Sequence, residues 1–168
     1  TITTLLYTIN EKLNDCIYDI DTHIVSGEGF IIEKLGHFNF KISPKSFFQT
    51  NSKQAEKLYN VVKDFAALTG NEIVYDLYCG TGSIGIFLSG FAKKIIGVDV
   101  IEDAIKDAKE NAALNNIPHA SFFCGDVIEI CNDHFFELNG CPDIIIIDPP
   151  RAGLPAKICK KLLEMTHE

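Results

Sequence analysis

The feature that most constrains the fold is a regular alternation of apolar strand segments and helical segments after residue 71. Strands are predicted at "EIVYDLY", "KIIGVDV", "ASFFCGDV" and "DIIIID", and each is followed by a segment with helical periodicity. Parallel strands need long crossover connections, and helices in those connections cover both faces of the sheet. We therefore predict an α/β fold with a doubly wound, mostly parallel, Rossmann-like sheet. Because only four strands are predicted, we expect the sheet to be incomplete at the C-terminus.

Two regions are distinguished by their patterns. Residues 1–42 alternate apolar and polar residues between glycine-containing turns, which predicts about three short strands belonging to the end of a neighbouring domain. Residues 43–168 hold the α/β unit. It is introduced by a helix that starts after the capping candidates Asn51 and Ser52 and ends near Gly70.

Composition limits the classes of partner. With 15 basic and 23 acidic residues the net charge is -8, so no broad polyanion-binding surface is expected. Lys41, Lys45 and Lys53 form the local basic cluster, as a phosphate contact or as ordinary solvated surface. The six cysteines lack metal-ligand spacing, so we expect reduced thiols and no metal. Without a signal sequence or a long apolar run, we expect a soluble cytoplasmic protein with no membrane association.

The segment "YDLYCGTGSIGIFL" contains a glycine-rich loop between a strand and a helix. Gly80, Gly82 and Gly85 satisfy G-x-G-x-x-G, which fits a dinucleotide, another nucleoside cofactor, or a tight turn without a ligand. A Walker A loop is excluded because no Gly-Lys-Ser/Thr follows. The carboxylate of Asp76 would repel a pyrophosphate and attract a cationic group, which favours a cofactor with an ammonium and a sulfonium. S-adenosylmethionine has both.

Four acidic residues, Asp76, Asp99, Asp126 and Asp148, lie at or near the carboxyl ends of the predicted strands. Ligands of open α/β sheets bind at that edge, so the four carboxylates are expected to form an electronegative pocket. Asp99 suits the hydroxyl groups of a ribose in either a dinucleotide or a nucleoside cofactor. Each carboxylate also suits the N-cap of the helix that follows it, and that alternative stays open for each one.

The motifs together resemble a known family. "DLYCGTGSIGIFLS", "GVDVIEDAIKDAKENAALNNI", "CGDV" and "DPPRAG" are similar, in order, to the motifs of S-adenosylmethionine-dependent RNA (uracil-5-)-methyltransferases. "KISPKSFFQTNSKQAEKLY" resembles the segment that precedes the fold in that family. The fold implied is a class I methyltransferase sheet. "SFFQTN" and "DPPRAG" carry the specificity, because amino-methylating relatives have an aromatic residue after Asp-Pro-Pro and many cytosine-5 enzymes have a cysteine there.

The resemblance implies a set of site residues. Asp99 would lie at the ribose, Asp126 at the adenine, and Asp148 near the methionyl end and the target base. With Asp76 from the argument above, the predicted cofactor contacts are Gln49, Asp76, Tyr78, Gly80, Ser83, Asp99, Asp126 and Asp148, and the predicted substrate contacts are Pro149 and Arg151. Tyr78 and Ser83 replace a commoner Phe and Asn. Gln49 also suits a loop-capping amide, and Arg151 suits RNA or a turn.

The activity implied is methyl transfer to carbon 5 of a uridine in structured RNA, with ribosomal RNA ahead of transfer RNA. It needs a cysteine that adds to carbon 6 and a base. In the family both follow "DPPRAG", so we expect them after residue 168 and expect this chain to bind the cofactor without turnover. Cys79 is interpreted as a small residue under the cofactor. RNA is the expected partner, and no obligate protein partner is evident.

Three alternatives stay open at this point. One is another nucleic-acid methyltransferase, such as a 5-methylcytosine enzyme. The second is an NAD-dependent oxidoreductase, which the glycine pattern favours and Asp76 and "DPPRAG" oppose. The third is a cofactor-binding module without catalysis.

Overall fold

Two antiparallel hairpins form the first part of the chain in the computed structural model, which describes residues 2–14, 17, 19–149 and 153–165. Strand β1 (Leu5–Tyr7) pairs with β2 (His23–Ser26), and β3 (Ile31–Leu35) pairs with β4 (Phe38–Ile42). The sequence predicts three strands in this region, and its described residues form four. The difference is β1, whose three residues are too few to show an alternating pattern.

Helix α1 (Ser52–Ala66) connects the hairpins to the α/β unit. Asn51 is its N-cap, as the sequence predicts, because its side-chain oxygen accepts a hydrogen bond from the backbone N–H of Gln54. The helix ends at Ala67, which adopts the left-handed conformation, and its backbone N–H donates to the carbonyl of Lys63.

The α/β unit then alternates strands and helices. Its elements are β5 (Ile73–Leu77), α2 (Ser83–Leu88), β6 (Lys94–Asp99), α3 (Glu102–Leu114), β7 (Ala120–Cys124), α4 (Val127–Ile130), α5 (Asp133–Asn139), β8 (Ile144–Ile147) and α6 (Ala156–Met165). The sequence predicts a single helix around 128–137, and the structure has two. They are separate because Asn132 caps the second helix by accepting from the backbone N–H of Phe135.

The four strands of this unit form a parallel sheet in the order β7-β6-β5-β8. The predicted Rossmann-like α/β fold is therefore confirmed. The chain builds outward from β5 through β6 to β7 and then crosses to the opposite side of β5 to form β8. This reversal makes a topological switch point between β5 and β8, and open α/β sheets bind ligands at the carboxyl ends of the strands beside such a point.

The second hairpin shares its hydrophobic core with the α/β unit. Leu35, Phe38 and Phe40 are buried in one cluster with residues of α1, α2 and α3 such as Ala55 and Ile86. The proposed boundary between residues 1–42 and 43–168 therefore crosses a shared core. Burial of the three hairpin side chains fixes the hairpin against the helices that carry the glycine loop.

A row of polar side chains on α3 forms hydrogen bonds with backbone groups on the unpaired edge of β4 and on the residue that follows β4. The pairs are Asn115 with Asn39, Asn111 with Lys41, and Asp107 with Ser43. Four helical residues advance about 6 Å and two strand residues advance about 7 Å, so the two spacings match over the two steps that separate these three pairs. The helix side chains therefore take the place of a neighbouring strand.

Asn111 is the central member of this row and is completely buried. Its Oδ1 accepts from the N–H of Lys41 at 2.7 Å, and its Nδ2 donates to the carbonyls of Lys41 at 3.1 Å and Thr81 at 3.3 Å. One side chain thus joins β4 to the glycine-rich loop. Asp107 accepts from the N–H and hydroxyl of Ser43 and from the hydroxyl of Ser46, which fixes the turn that leads to the predicted site.

Two glycines lie under the ring of Phe122 on β7. A Cβ on Gly82 would lie 2.7 Å from the ring, and a Cβ on Gly97 would lie 2.3 Å from it. A Cβ on Gly97 would also lie 2.9 Å from Sγ of Cys79. Close packing of the Phe122 ring against the backbone of Gly82 and Gly97 therefore fixes the distance between the loop and the sheet.

None of the helices within the described residues is both long enough and apolar enough to cross a membrane.

We expect Asn111→Ala to destabilise the protein by roughly 2–4 kcal/mol, because the mutation leaves buried backbone groups of Lys41 and Thr81 without partners. Asn115→Ala is the matched control. It also removes bonds to the β4 edge, but its partner Asn39 is exposed and water replaces the lost bonds, so the loss should stay below about 1 kcal/mol. Urea unfolding of both variants measures the difference, and equal losses would contradict the role of Asn111.

Candidate functional site

Several of the predicted site residues lie at or next to the carboxyl ends of β5, β6 and β8. Asp76 lies within β5, and Tyr78 and Gly80 follow it in the glycine loop. Asp99 ends β6, and Asp148 directly follows β8 on the other side of β5. The loop and Asp148 therefore flank the switch point, which is where open α/β sheets bind ligands.

The glycine loop has three residues with positive φ: Tyr78 at 65°, Gly80 at 53° and Gly82 at 75°. Glycine adopts this region at no steric cost, but in Tyr78 it costs about 1–3 kcal/mol. The backbone N–H groups of Tyr78 and Cys79 both donate to the carbonyl of Val98, at 2.8 and 3.2 Å. These bonds to β6 hold Tyr78 in the strained conformation and turn the chain out of the sheet.

Asp76 is the most unusual group of the site because it is a completely buried carboxyl group. Its Oδ2 accepts from the backbone N–H of Gly85 at 2.9 Å, while its Oδ1 is buried and has no hydrogen-bond partner among the described residues. Burial raises the pKa of Asp76 to about 7, the Gly85 bond opposes this rise, and the nearby carboxylates of Asp148 and Asp99 add to it. The chain thus keeps an unpaired acceptor next to the glycine loop.

Of the other three carboxylates, Asp99 and Asp126 lie at helix starts. Asp99 is half-buried, its Oδ2 accepts from the N–H of Gly80 and its Oδ1 from the N–H of Ile101, each at 2.9 Å, so it joins the loop to the start of α3. Asp126 is exposed and caps α4 by accepting from Ile128. The helix-cap alternative therefore holds for Asp126. Asp148 is exposed at the end of β8.

Gln49 lies in the segment that passes over the loop. This half-buried residue lines a cleft of about 450 Å³ formed by parts of β1, β3 and the segment after β4. The carbonyl of its neighbour Phe47 would lie 3.8 Å from a Cβ placed on Gly80, so this segment approaches the glycine loop closely. Pro149 is half-buried after β8, and Arg151 lies outside the described residues.

Tyr59 is a site residue that the sequence does not indicate. Its hydroxyl lies 2.8 Å from Oγ of Ser83, and both side chains are buried. In the sequence Tyr59 belongs to the apolar stripe of α1, so its ring predicts packing and nothing marks its hydroxyl. The hydroxyl oxygen of Thr81, in the loop itself, is a second buried atom without a hydrogen-bond partner among the described residues.

The cysteines of the α/β unit divide by burial. Burial raises the pKa of Cys79 well above its usual range, with further contributions from Asp76 and Asp99, and it raises the pKa of Cys131 to about 11. A thiol that stays protonated is a poor nucleophile, which supports the interpretation of Cys79 as a packing residue. Cys124, Cys141 and Cys159 are exposed, and Cys16 lies outside the described residues.

The proposed basic cluster is partly neutralised. Lys41 pairs with Glu110 and lies over the ring of Phe30, and Lys45 lies 4.0 Å from Asp103. Lys53 is exposed. Because two of the three lysines have acidic partners, the cluster offers less positive charge to a phosphate than the sequence suggests.

Comparison with known proteins adds the family. A family model described as a methyltransferase domain matches residues 68–167. Proteins named as uncharacterized RNA methyltransferases are similar, among them one from Bacteroides thetaiotaomicron, 47% identical over 96% of this chain, and one from Porphyromonas gingivalis, 46% identical over 96%. The chain spans 36% and 35% of their respective lengths.

Among solved structures, the tRNA (uracil-54, C5)-methyltransferase of Pyrococcus abyssi, crystallised with S-adenosyl-L-homocysteine, superposes with a TM-score of 0.75. The two share 34% sequence identity, over 98% of this chain and 39% of that one. The family model covers the glycine loop, the switch point and all four strand-end carboxylates. The chain belongs to the methyltransferase domain family.

Proposed function

We propose that the chain is the cofactor-binding part of an S-adenosylmethionine-dependent RNA methyltransferase that acts on carbon 5 of a uridine. The observation that carries the cofactor assignment is the buried, unpaired Oδ1 of Asp76 beside the glycine loop. A buried acceptor without a partner is costly, so its persistence here indicates a ligand that supplies a donor. An ammonium or sulfonium supplies positive charge as well.

The residues present fit this cofactor. Asp76 would accept from the ammonium of the methionyl end. Asp99 would accept from the ribose hydroxyls, since each of its oxygens accepts one backbone N–H and has a second acceptor position. Gly80, whose Cβ position is open apart from Phe47, would allow close backbone approach, and Tyr78 would flank the cofactor. When bound, S-adenosylmethionine supplies a methyl group on a positively charged sulfur.

Asp126, Ser83 and Gln49 complete the proposed contacts, at the adenine, near the loop and at the overlying segment. Asp126 is exposed and uses one oxygen for its cap, so its other oxygen is available to the adenine amino group. Asp148, Pro149 and Arg151 are proposed to meet the target base beside β8. The RNA methyltransferase names of the relatives support an RNA substrate.

The choice of uridine carbon 5 rests on "SFFQTN" and "DPPRAG" and on the similarity to the Pyrococcus abyssi enzyme. Carbon 5 of uracil is a weak nucleophile. A thiolate that adds to carbon 6 makes carbon 5 nucleophilic; carbon 5 then gains the methyl group, and a base removes its proton as the thiolate leaves. The buried thiols of Cys79 and Cys131 are not available for this step. Three other thiols are exposed, so the position of the nucleophile rests on the resemblance, in which the catalytic cysteine follows "DPPRAG"; we propose on that ground that it lies outside this chain.

The first prediction concerns cofactor class. We expect the purified chain to bind S-adenosylhomocysteine saturably in calorimetry and to bind NAD at least roughly tenfold more weakly, because Asp76 repels a pyrophosphate at the loop. Asp64→Asn, an exposed carboxylate on α1, is the control for a general change in charge and should leave both affinities unchanged. Binding of NAD without binding of S-adenosylhomocysteine would overturn the methyltransferase assignment.

The second prediction concerns pH and stability. Because burial raises the pKa of Asp76 from 3.8 to about 7, the native state binds this proton more tightly than the unfolded state. The resulting stability is fully present below about pH 4 and is lost as the pH rises through about 7. We expect Asp76→Asn to be more stable than the wild type at pH 8, by roughly 2–4 kcal/mol, with little difference at pH 4. Urea unfolding without ligand at both pH values measures this, and a variant less stable at pH 8 would contradict it.

The same group predicts the pH dependence of ligand binding. An ammonium binds to ionised Asp76, so the affinity for S-adenosylhomocysteine should rise as the pH rises from 6 to 8. Asp76→Asn should abolish this rise and weaken binding at pH 8 by about 10- to 100-fold, through loss of a charge-assisted hydrogen bond. Calorimetry over the pH range tests this. A variant that keeps the wild-type pH dependence would exclude Asp76 as the partner of the ammonium.

The fourth prediction concerns turnover. We expect the 168-residue chain to transfer no methyl group to transfer RNA or to ribosomal RNA fragments, because the step requires a reactive thiolate. Incorporation of labelled methyl into RNA is the measurement, with binding of S-adenosylhomocysteine as the control that the protein is folded. Methylation of uridine by the chain alone would show that one of its own cysteines acts as the nucleophile.

A further inference from the structure

A buried hydrogen bond joins helix α1 to the start of α2. The hydroxyl of Tyr59, a residue only 1% exposed, lies 2.8 Å from Oγ of Ser83. The ring of Tyr59 packs edge-on against Phe87 within the main hydrophobic cluster, so its position is fixed by apolar contacts. The apolar packing involves only the ring of Tyr59. Its hydroxyl group therefore has a separate role, which is to hold the side chain of Ser83 by a hydrogen bond.

The surroundings of this pair are acidic. Burial raises the pKa of Tyr59 to about 12, the bond to Ser83 opposes the rise, and the carboxylates of Asp76 and Asp148 add to it. The phenol thus keeps its proton over the whole physiological range. Because both carboxylates act on Tyr59, the Tyr59–Ser83 pair lies near the same acids that flank the switch point.

The chemistry of the two hydroxyl groups decides which one donates. The geometry of the pair allows either hydroxyl to donate. Because a phenol is more acidic than an aliphatic alcohol, we assign Tyr59 as the donor and Ser83 as the acceptor. The proton of Ser83 is then directed elsewhere, and the structure gives Oγ of Ser83 no other hydrogen-bond partner within the described part of the chain. A buried donor without an acceptor carries a cost that a ligand removes.

The position of Ser83 near Asp76 indicates the chemical group of the ligand that would accept its hydrogen bond. Ser83 begins α2 immediately after the glycine loop, two residues before Gly85, whose N–H binds Asp76. Oδ1 of Asp76, which has no partner among the described residues, can accept, whereas the hydroxyl proton of Ser83 that the Tyr59 bond does not use can donate. An acceptor and a donor at the start of one helix match the ammonium and carboxylate of a single amino acid group.

We propose that Tyr59 is a positioning residue that orients the Ser83 hydroxyl to donate a hydrogen bond to the carboxylate of the cofactor's amino acid end. This inference rests on the proposed function and deepens it, because it separates recognition of the amino acid end from recognition of the nucleoside. Tyr59 does not contact the cofactor. It acts through Ser83, so its removal should affect ligands that carry the carboxylate and spare those that lack it.

The test compares two ligands and three variants by calorimetry. Tyr59→Phe should weaken binding of S-adenosylhomocysteine by about 3- to 10-fold, the effect of one hydrogen bond, and should change binding of 5′-methylthioadenosine, which lacks the amino acid end, by less than about twofold. Tyr75→Phe is the matched control. It removes another buried tyrosine hydroxyl, one that donates to the carbonyl of Gly140, and should leave both affinities unchanged.

Ser83→Ala is an independent test. It should weaken binding of S-adenosylhomocysteine by a similar factor. The double variant with Tyr59→Phe should lose no more affinity than Ser83→Ala alone, because both residues act through one hydrogen bond. Thermal unfolding of each variant checks that the chain remains folded. Equal losses for both ligands, additive losses in the double variant, or no loss of S-adenosylhomocysteine binding would overturn the proposal. A wild type that binds neither ligand would instead overturn the proposed function.

Discussion

The structure depends on the row of hydrogen bonds between α3 and the edge of β4. Asp107, Asn111 and Asn115 use side-chain atoms to satisfy backbone groups that a further strand would otherwise pair. Asn111 also reaches the carbonyl of Thr81, so the same row fixes the glycine loop. Breaking these bonds would leave buried backbone groups without partners and would cost free energy of folding. The bonds therefore fix the hairpin, the overlying segment and the loop relative to one another, and with them the position of the site.

The glycine loop adds a second constraint, which is electrostatic. Its turn requires positive φ at Gly80, Gly82 and even Tyr78. It also encloses a carboxyl group of which, within the described part of the chain, one oxygen alone has a hydrogen-bond partner. Evolution of a stable fold alone would favour an apolar or fully bonded side chain at Asp76. The chain retains a destabilising group where a ligand would neutralise it, a pattern typical of binding sites.

Much of the architecture could be predicted from the sequence, because alternation of apolar strands and helices constrains the connections of the sheet. The edge on which Asp76, Asp99 and Asp148 meet followed from that topology. The polar row on α3 could not be found, since its members look like a solvated helix face and their partners lie 64 to 76 residues away. The hydroxyl of Tyr59 was hidden for the same reason, as its ring alone explains its place in an apolar stripe. The sequence also left the N-cap role of Asp126 open, and the structure shows it.

The packing of Phe122 over Gly82 and Gly97 links three positions that lie far apart in the chain. A larger residue at either glycine needs a smaller one at position 122, while the positive φ of Gly82 and the Cys79 sulfur next to Gly97 restrict these positions further. A smaller residue at position 122 also opens a void under the loop. During evolution, Phe122 is thus expected to be replaced by a smaller residue before either glycine is replaced by a larger one. In an alignment of relatives the three positions should vary together. Their joint variation would mark lineages in which the loop packs differently on the sheet.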